Sequence, residues 1–283
     1  MSDFVNNWVE QSAYCQTLGM RLASLRDDAA AIALPFIEAN ANPGNALHGG
    51  VAASASVTAA HALARHVLGE ETGPWHSMDF QINYLAAAIG EDIQATARLL
   101  RRGKELCFMA VDVTGDDGKA IAQCSIAVRG RLGRDGIETP MAAGDHGEVE
   151  PGFMGDRIAA NPFISGRGIA MDFMRDGQVR LLMPWQDSNG DQGGGMHEGA
   201  ALALLDTEPC VRGQSRAWAS SRPRRHRSRH RSWPRPQRPI WSPMAMSAIA
   251  ITRCIGMILR SPTPPRAGWS HAARGSIVSL PSD

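Results

Sequence analysis

The stretch Asn42-Pro43-Gly44-Asn45-Ala46-Leu47-His48-Gly49-Gly50 decides how this chain reads. It is a polar turn closed by a histidine and two glycines. The run that follows, from His48 towards Leu68, is dominated by Ala, Ser and Val, which predicts a helix able to lie close against a sheet. Backwards from the turn, Met20 to Leu25 and Ala30 to Phe36 read as two strands joined at Arg26-Asp27-Asp28. Forwards, Met78, Phe80, Ile82 and Tyr84 alternate with polar or small neighbours, the period of a half-buried strand. The same alternation returns at Ile93 to Leu99, at Cys107 to Val113 and at Ala120 to Val128, with a hairpin turn at Thr114-Gly115-Asp116-Asp117-Gly118. The order predicts an α+β fold, one long helix laid on an antiparallel sheet.

A second, incomplete version of this pattern lies 149 residues further on. Arg26-Asp27 matches Arg175-Asp176, Pro35-Phe36 matches Pro184-Trp185, and His48-Gly49-Gly50 matches His197-Glu198-Gly199, all without a gap. Such self-similarity points to an internal duplication. It divides the chain into a first unit at 1–135, a linker at 136–160, the start of a second unit at 161–207 and a tail at 208–283. The strands expected near 225–279 do not recur; Arg222-Pro223-Arg224-Arg225-His226-Arg227 stands there instead.

Composition sharpens that break. The 283 residues are 43% apolar and 20% charged, a globular balance with a net charge of +1. Through Asp206, however, 15 basic residues face 26 acidic ones, whereas the remainder holds 14 Arg, one Glu, one Asp and no Lys. Ten of the 17 prolines fall in that remainder, too many for central strands. Two readings are open: a basic, Trp-bearing arm that binds nucleic acid, or a translation in a shifted frame of a GC-rich gene. The five cysteines form no CxxC pair, so neither a zinc knuckle nor a disulfide framework is indicated, and reduced thiols in the cytoplasm are expected. No apolar run approaches the ~18 residues of a membrane span. The N-terminus lacks a secretory pattern. Walker, Rossmann and HExxH motifs are missing, which disfavours nucleotide and zinc-protease chemistry.

The Asn42 to Gly50 segment resembles the signature of hotdog-fold acyl-CoA thioesterases of the phenylacetate-degradation (PaaI-like) type. There, an Asn lies six residues before a His-Gly-Gly that opens the central helix, and an acidic residue follows nine after the His. The resemblance covers roughly 15–131 and again 165–207. Each copy departs from it differently. The first keeps Asn42, His48, Gly49 and Gly50 but has Val57 at the acidic position; the second has Asp191 for the Asn and Glu198 for the first Gly, yet keeps Asp206. Family sites are built across two hotdog units, so the resemblance implies one composite site, Asn42/His48/Gly49/Gly50 facing Asp206. The reciprocal set, Asp191/His197 with Val57, would be dead.

On this reading the substrate is an acyl-CoA thioester and neither a metal nor a cofactor is called for. Asp206 acts as base or nucleophile, a role that suits a carboxylate set after the apolar Ala201-Leu202-Ala203-Leu204-Leu205. N–H groups at Gly49-Gly50, at the positive end of the helix, stabilise the carbonyl oxygen as charge develops, with Gly50 the expected donor. Asn42 orients water or carbonyl, Gly49 contacts the thioester, and His48 either holds the loop by hydrogen bonds or contacts the thioester as well. Arg101 and Arg102 offer a basic turn for the CoA phosphates, against a plain solvated hairpin. Ser54, Ser56 and Thr58 form a candidate polar patch on the helix. The competing readings are a non-catalytic acyl-CoA-binding hotdog and the nucleic-acid arm; a hotdog dehydratase lacks its Asp/His pair here. Association of tandem units into a homo-oligomer is a further expectation, with no membrane contact.

Overall fold

The computed structural model describes residues 3–131, 147–175, 178–192 and 195–221, with side chains beyond Glu208 described only at Val211. Two short helices, α1 (Asp3–Gln11) and α2 (Ala13–Leu18), precede the hairpin β1 (Arg21–Leu25) and β2 (Ala29–Leu34). The long helix α3 (Gly49–Leu68) follows, then β3 (Trp75–Tyr84), β4 (Ile93–Arg102), β5 (Leu106–Gly115) and β6 (Ala120–Gly130). These six strands form one antiparallel sheet in the order β1-β2-β4-β5-β6-β3. The fold is therefore α+β, a long helix packed on an antiparallel sheet, and every strand predicted by alternation is present.

Helix α3 is buried from Gly50 to Ala64 on all sides, because the sheet covers one face and a second helix the other. Its hydroxyls are consumed by that burial. Ser54, Ser56 and Thr58 each donate to the carbonyl four residues back, at 2.6, 2.8 and 2.7 Å. They are not the substrate-facing patch expected from sequence: with no water to bond, each hydroxyl must find its partner within the protein.

The second unit contributes α4 (Gly155–Ala159), α5 (Pro162–Gly166), the hairpin β7 (Ala170–Arg175) and β8 (Gln178–Leu182), and the helix α6 (Glu198–Ser221). Helix α4 falls inside the stretch expected to be a bare linker, and α6 runs past the expected boundary at 207. The offset of 149 relates much more than the sequence matches. Gly19 and Gly168 share a left-handed φ, 74° and 70°. Asn40 Nδ2 donates to Leu18 O and Asn189 Nδ2 to Arg167 O, at 3.0 and 2.8 Å. His48 N donates to Asn40 O and His197 N to Asn189 O. Asn161 caps α5 at Ile164 N where Ser12 caps α2 at Cys15 N.

Helices α3 and α6 lie antiparallel and in close contact, since Gly50 abuts Ala203 while Gly199 abuts Ser54. A Cβ at Gly50 would fall 2.9 Å from Ala203 Cα, so glycine is what permits this approach. The consequence is that the start of each helix faces the body of the other. Among the described residues, no helix is long and apolar enough to cross a membrane. The Arg/Pro-rich tail from 222 onward, with the nucleic-acid and shifted-frame readings attached to it, lies outside the described residues.

Candidate active site

His48 is the N-cap of α3, and its ring accepts a hydrogen bond at Nδ1 from Gly50 N–H, 3.0 Å away. That bond puts the proton of the neutral ring on Nε2. Burial lowers the His48 pKa from 6.5 and outweighs the neighbouring Asp206, so the ring is neutral. Gly50, the expected oxyanion donor, therefore has its N–H spent within the cap. Val51 N–H is likewise taken, by His48 O. Among the described residues, no acceptor pairs with Gly49 N–H. The free donor at this helix start belongs to Gly49, one residue earlier than the sequence reading put it.

Asp206 arrives from α6 of the other unit and is largely buried, with 13% of its side chain exposed. Its Oδ2 lies 3.4 Å from His48 Nδ1 and 2.7 Å from where a Gly49 Cβ would stand. The 3.4 Å approach to the ring is not a hydrogen bond in the neutral state, because that nitrogen's lone pair already takes the Gly50 N–H. The other oxygen, Oδ1, accepts from Tyr84 OH at 2.8 Å. One carboxylate oxygen is thus anchored by the end of β3, while the second stands against Gly49, the residue whose N–H is unpaired.

Asn42 lies half-buried at the head of the same loop. Its Oδ1 accepts from Asn161 Nδ2 at 2.7 Å, which leaves the Asn42 Nδ2 donors turned the other way. Two residues on, the Phe163 ring packs against His48 with centroids 4.7 Å apart. Tyr84, Asn161 and Phe163 were not picked out from sequence. Asn161-Pro162 is a helix-start signature, and its offset from Ser12 would have been the signal.

Arg101 and Arg102 do not join this site. They are exposed at the far end of β4, and the site lies at the near end, where Leu47 N donates to Ala88 O. At the usual rise, a strand carries them about 27 Å from Ile93. The register pairs them with Phe108 and Cys107, so they belong to the opposite hairpin turn.

The reciprocal position is built differently. His197 Nδ1 accepts from Gly199 N–H at 3.0 Å, just as in the first unit, and Tyr14 stacks on the ring at 4.8 Å. Val57, 1% exposed, stands where a carboxylate would be needed. Glu198 fills the place of the first glycine, and its carboxylate accepts from Ser77 N–H at 3.0 Å and lies 3.1 Å from His61 Nε2. Burial opposes its charge, but His61, His76 and Ser77 outweigh burial and hold the Glu198 carboxyl well below the usual range. Asp191 accepts from Trp8 Nε1 at 2.7 Å.

Residues 37–129 match the family described as acyl-CoA thioesterase N-terminal domain. This segment is similar to hotdog-fold acyl-CoA thioesterase domains. The mouse and human proteins named acyl-coenzyme A thioesterase 13 are each 40% identical to it over 88 residues, 30% of this chain. The chain spans 61% of the length of these relatives. Among solved structures, a mutant thioesterase from Pseudomonas aeruginosa aligns with a TM-score of 0.42 at 18% identity, covering 45% of this chain and 91% of its own. A thioesterase from Haemophilus influenzae aligns with a TM-score of 0.42 at 19% identity, covering 46% and 89%.

Proposed function

We propose that the protein hydrolyses acyl-CoA thioesters to a free acid and CoA, in the manner of PaaI-like thioesterases, at one site shared by two hotdog repeats. The observation that carries this reading is the approach of Asp206 Oδ2 to Gly49, 2.7 Å from where a Cβ would stand and 3.4 Å from His48 Nδ1, with the two residues brought in by different helices. The hydrogen bonds repeated at an offset of 149 support the tandem origin of those helices.

The thioester carbonyl oxygen accepts from Gly49 N–H at the positive end of α3, where negative charge is favoured as the carbonyl carbon becomes tetrahedral. Asp206 Oδ2 drives the addition, by taking a proton from a water or by attacking the carbon itself. Collapse of the adduct breaks the C–S bond and the CoA sulfur leaves with a proton. On the water route the acyl group departs directly as the acid; on the direct route it is left as an anhydride on Asp206 that a water then hydrolyses to the acid, restoring the carboxylate. Tyr84 holds the spectator oxygen of Asp206, and Asn42 supplies an amide donor whose orientation Asn161 fixes. At the reciprocal position Val57 provides no base and Glu198 sets a negative charge where the carbonyl oxygen would have to sit, so it contributes no turnover. The buried free thiols of Cys15, Cys107 and Cys124 support a reducing, cytoplasmic setting.

The experiment is release of free thiol by the full chain over a panel of short, long and aromatic acyl-CoAs. Turnover of at least one class is expected. Tight binding of acyl-CoA with no release from any member would establish a non-catalytic binding protein instead.

A further inference from the structure

The reciprocal position encloses a cavity of about 490 Å³ between α1, α3, β3 and residues 191, 192 and 195–198. That volume suits a small organic molecule. Arg65 lines it, with its guanidinium sandwiched 4.0 Å above Trp8 and 4.4 Å from Trp75. Both indoles contact the guanidinium by cation–π interaction, which makes no use of its N–H donors. Among the described residues no acceptor hydrogen-bonds to it: Nε is buried without a partner, and the nearest carboxylate oxygen, on Asp191, is 3.8 Å away. Desolvation lowers the Arg65 pKa to about 10, against the pull of Asp191 and Glu198. A buried guanidinium donor without an acceptor is costly, and the ion pair to Asp191 is too long to be a hydrogen bond.

The acidic groups nearby are held by other donors. Asp191 Oδ1 accepts from the Trp8 indole and from Gln192 N–H, which leaves Oδ2 3.8 Å from Arg65, and Glu198 is held by Ser77 and His61. Beside the imidazoles of His61, His76 and His197, the cavity offers the Arg65 donors and apolar surface from the two indoles, Pro74 and Met196. We propose that this cavity is a binding site for a small organic monocarboxylate, its carboxylate on the in-plane edge of the Arg65 guanidinium and its apolar body against Trp8 and Trp75. A planar carboxylate matches the guanidinium fork. A dianionic phosphate would meet Asp191 and Glu198 with twice the charge of a monocarboxylate, which favours the monocarboxylate. The site takes a free acid and holds it without chemistry. Its existence does not depend on the thioesterase reading, although that reaction would generate a ligand of the right class.

Isothermal titration of the full chain with benzoate, phenylacetate and hexanoate tests this, with benzyl alcohol, phenyl phosphate and inorganic phosphate as the contrasting arms. One carboxylate per chain is expected, with the alcohol and the phosphates bound at least about ten-fold more weakly. Arg65→Met should weaken carboxylate binding about ten- to a hundred-fold. Gly195→Trp provides an independent block: Gly195 lines the cavity with open space where its Cβ would go, so an indole there fills the volume and leaves every charge in place. Asp206→Asn should bind the acid as the unmodified chain does, within about two-fold, which separates this cavity from the hydrolytic site. Wild-type affinity in Gly195→Trp, equal affinity for benzyl alcohol, preference for a phosphate, or loss of binding in Asp206→Asn would each overturn the proposal. Failure of thiol release with carboxylate binding intact would count against the thioesterase alone.

Discussion

Replacing Gly49 by Ala separates chemistry from folding at this site. The backbone at Gly49 is in a region open to any L residue, so the substitution adds a Cβ and no strain. That Cβ would stand 2.7 Å from Asp206 Oδ2, 3.1 Å from Oδ1 and 3.2 Å from Cγ. An ordinary contact begins near 3.4 Å, so the carboxylate must retreat by about 0.7 Å, and as the end of a side chain it can. A displacement of ~1 Å costs on the order of a hundred-fold in rate, which puts the expected fall in kcat at about 30- to 100-fold. The N–H of residue 49 survives, so KM should change by less than about three-fold. Stability should move by less than about 2 kcal/mol, as a better helix former offsets a strained Tyr84 bond. Gly50→Ala is the control. There the new Cβ would meet the Ala203 backbone at 2.9 Å, which cannot swing aside. The seam between α3 and α6 must open, at a cost of about 1–3 kcal/mol, read as a Tm lower by several degrees. Thiol release and thermal unfolding measured on both variants distinguish the two. If Gly49→Ala retained wild-type kcat, Asp206 would not be acting from the position described.

Other outcomes follow from the same geometry. Tyr84→Phe removes the donor to Asp206 Oδ1 and should lower kcat about ten-fold with KM and Tm little changed; an unaltered kcat would make that bond incidental. Acid sensitivity follows from the two cap histidines. Burial holds the folded pKa of His48 and of His197 below 6.5, so below that pH the unfolded chain binds more protons than the folded one. Stability is complete above about pH 6.5 and falls as pH drops beneath it, by up to ~1.4 kcal/mol per unit for each ring. The Glu198 contribution is not lost in that window, since its carboxyl titrates well below 4.5. Thermal unfolding between pH 7.5 and 5.5 checks this, and a flat Tm would show the rings to be solvated.

Much of this was written in local sequence. Period-two alternation gave β3 to β6, and the turn from Asn42 to Gly50 gave the start of α3, because these features depend on neighbours in the chain. The pairing of Asp206 with Gly49 was also legible, through the complementary losses at Val57 and Glu198. What escaped the sequence is what packing decides. Gly49 and Gly50 look alike in sequence, and only the His48 cap determines which N–H is spent. Ser54, Ser56 and Thr58 read as a polar face until burial turns each hydroxyl back onto its own helix. Arg101 and Arg102 looked suited to phosphates, but the strand carries them to the wrong end of the sheet. Tyr84 and Phe163 reach the site only through tertiary contact.

The central claim is a single hydrolytic site fed by both repeats, and the most direct measurement compares Asp206→Asn with Asp191→Asn in the thiol-release assay. Asp206→Asn should reduce kcat by about 10²- to 10⁴-fold, the range for loss of an acid–base group. Asp191→Asn should stay within about three-fold of the parent, since it alters only the silent position. Equal losses from the two, or full activity in Asp206→Asn, would contradict the account.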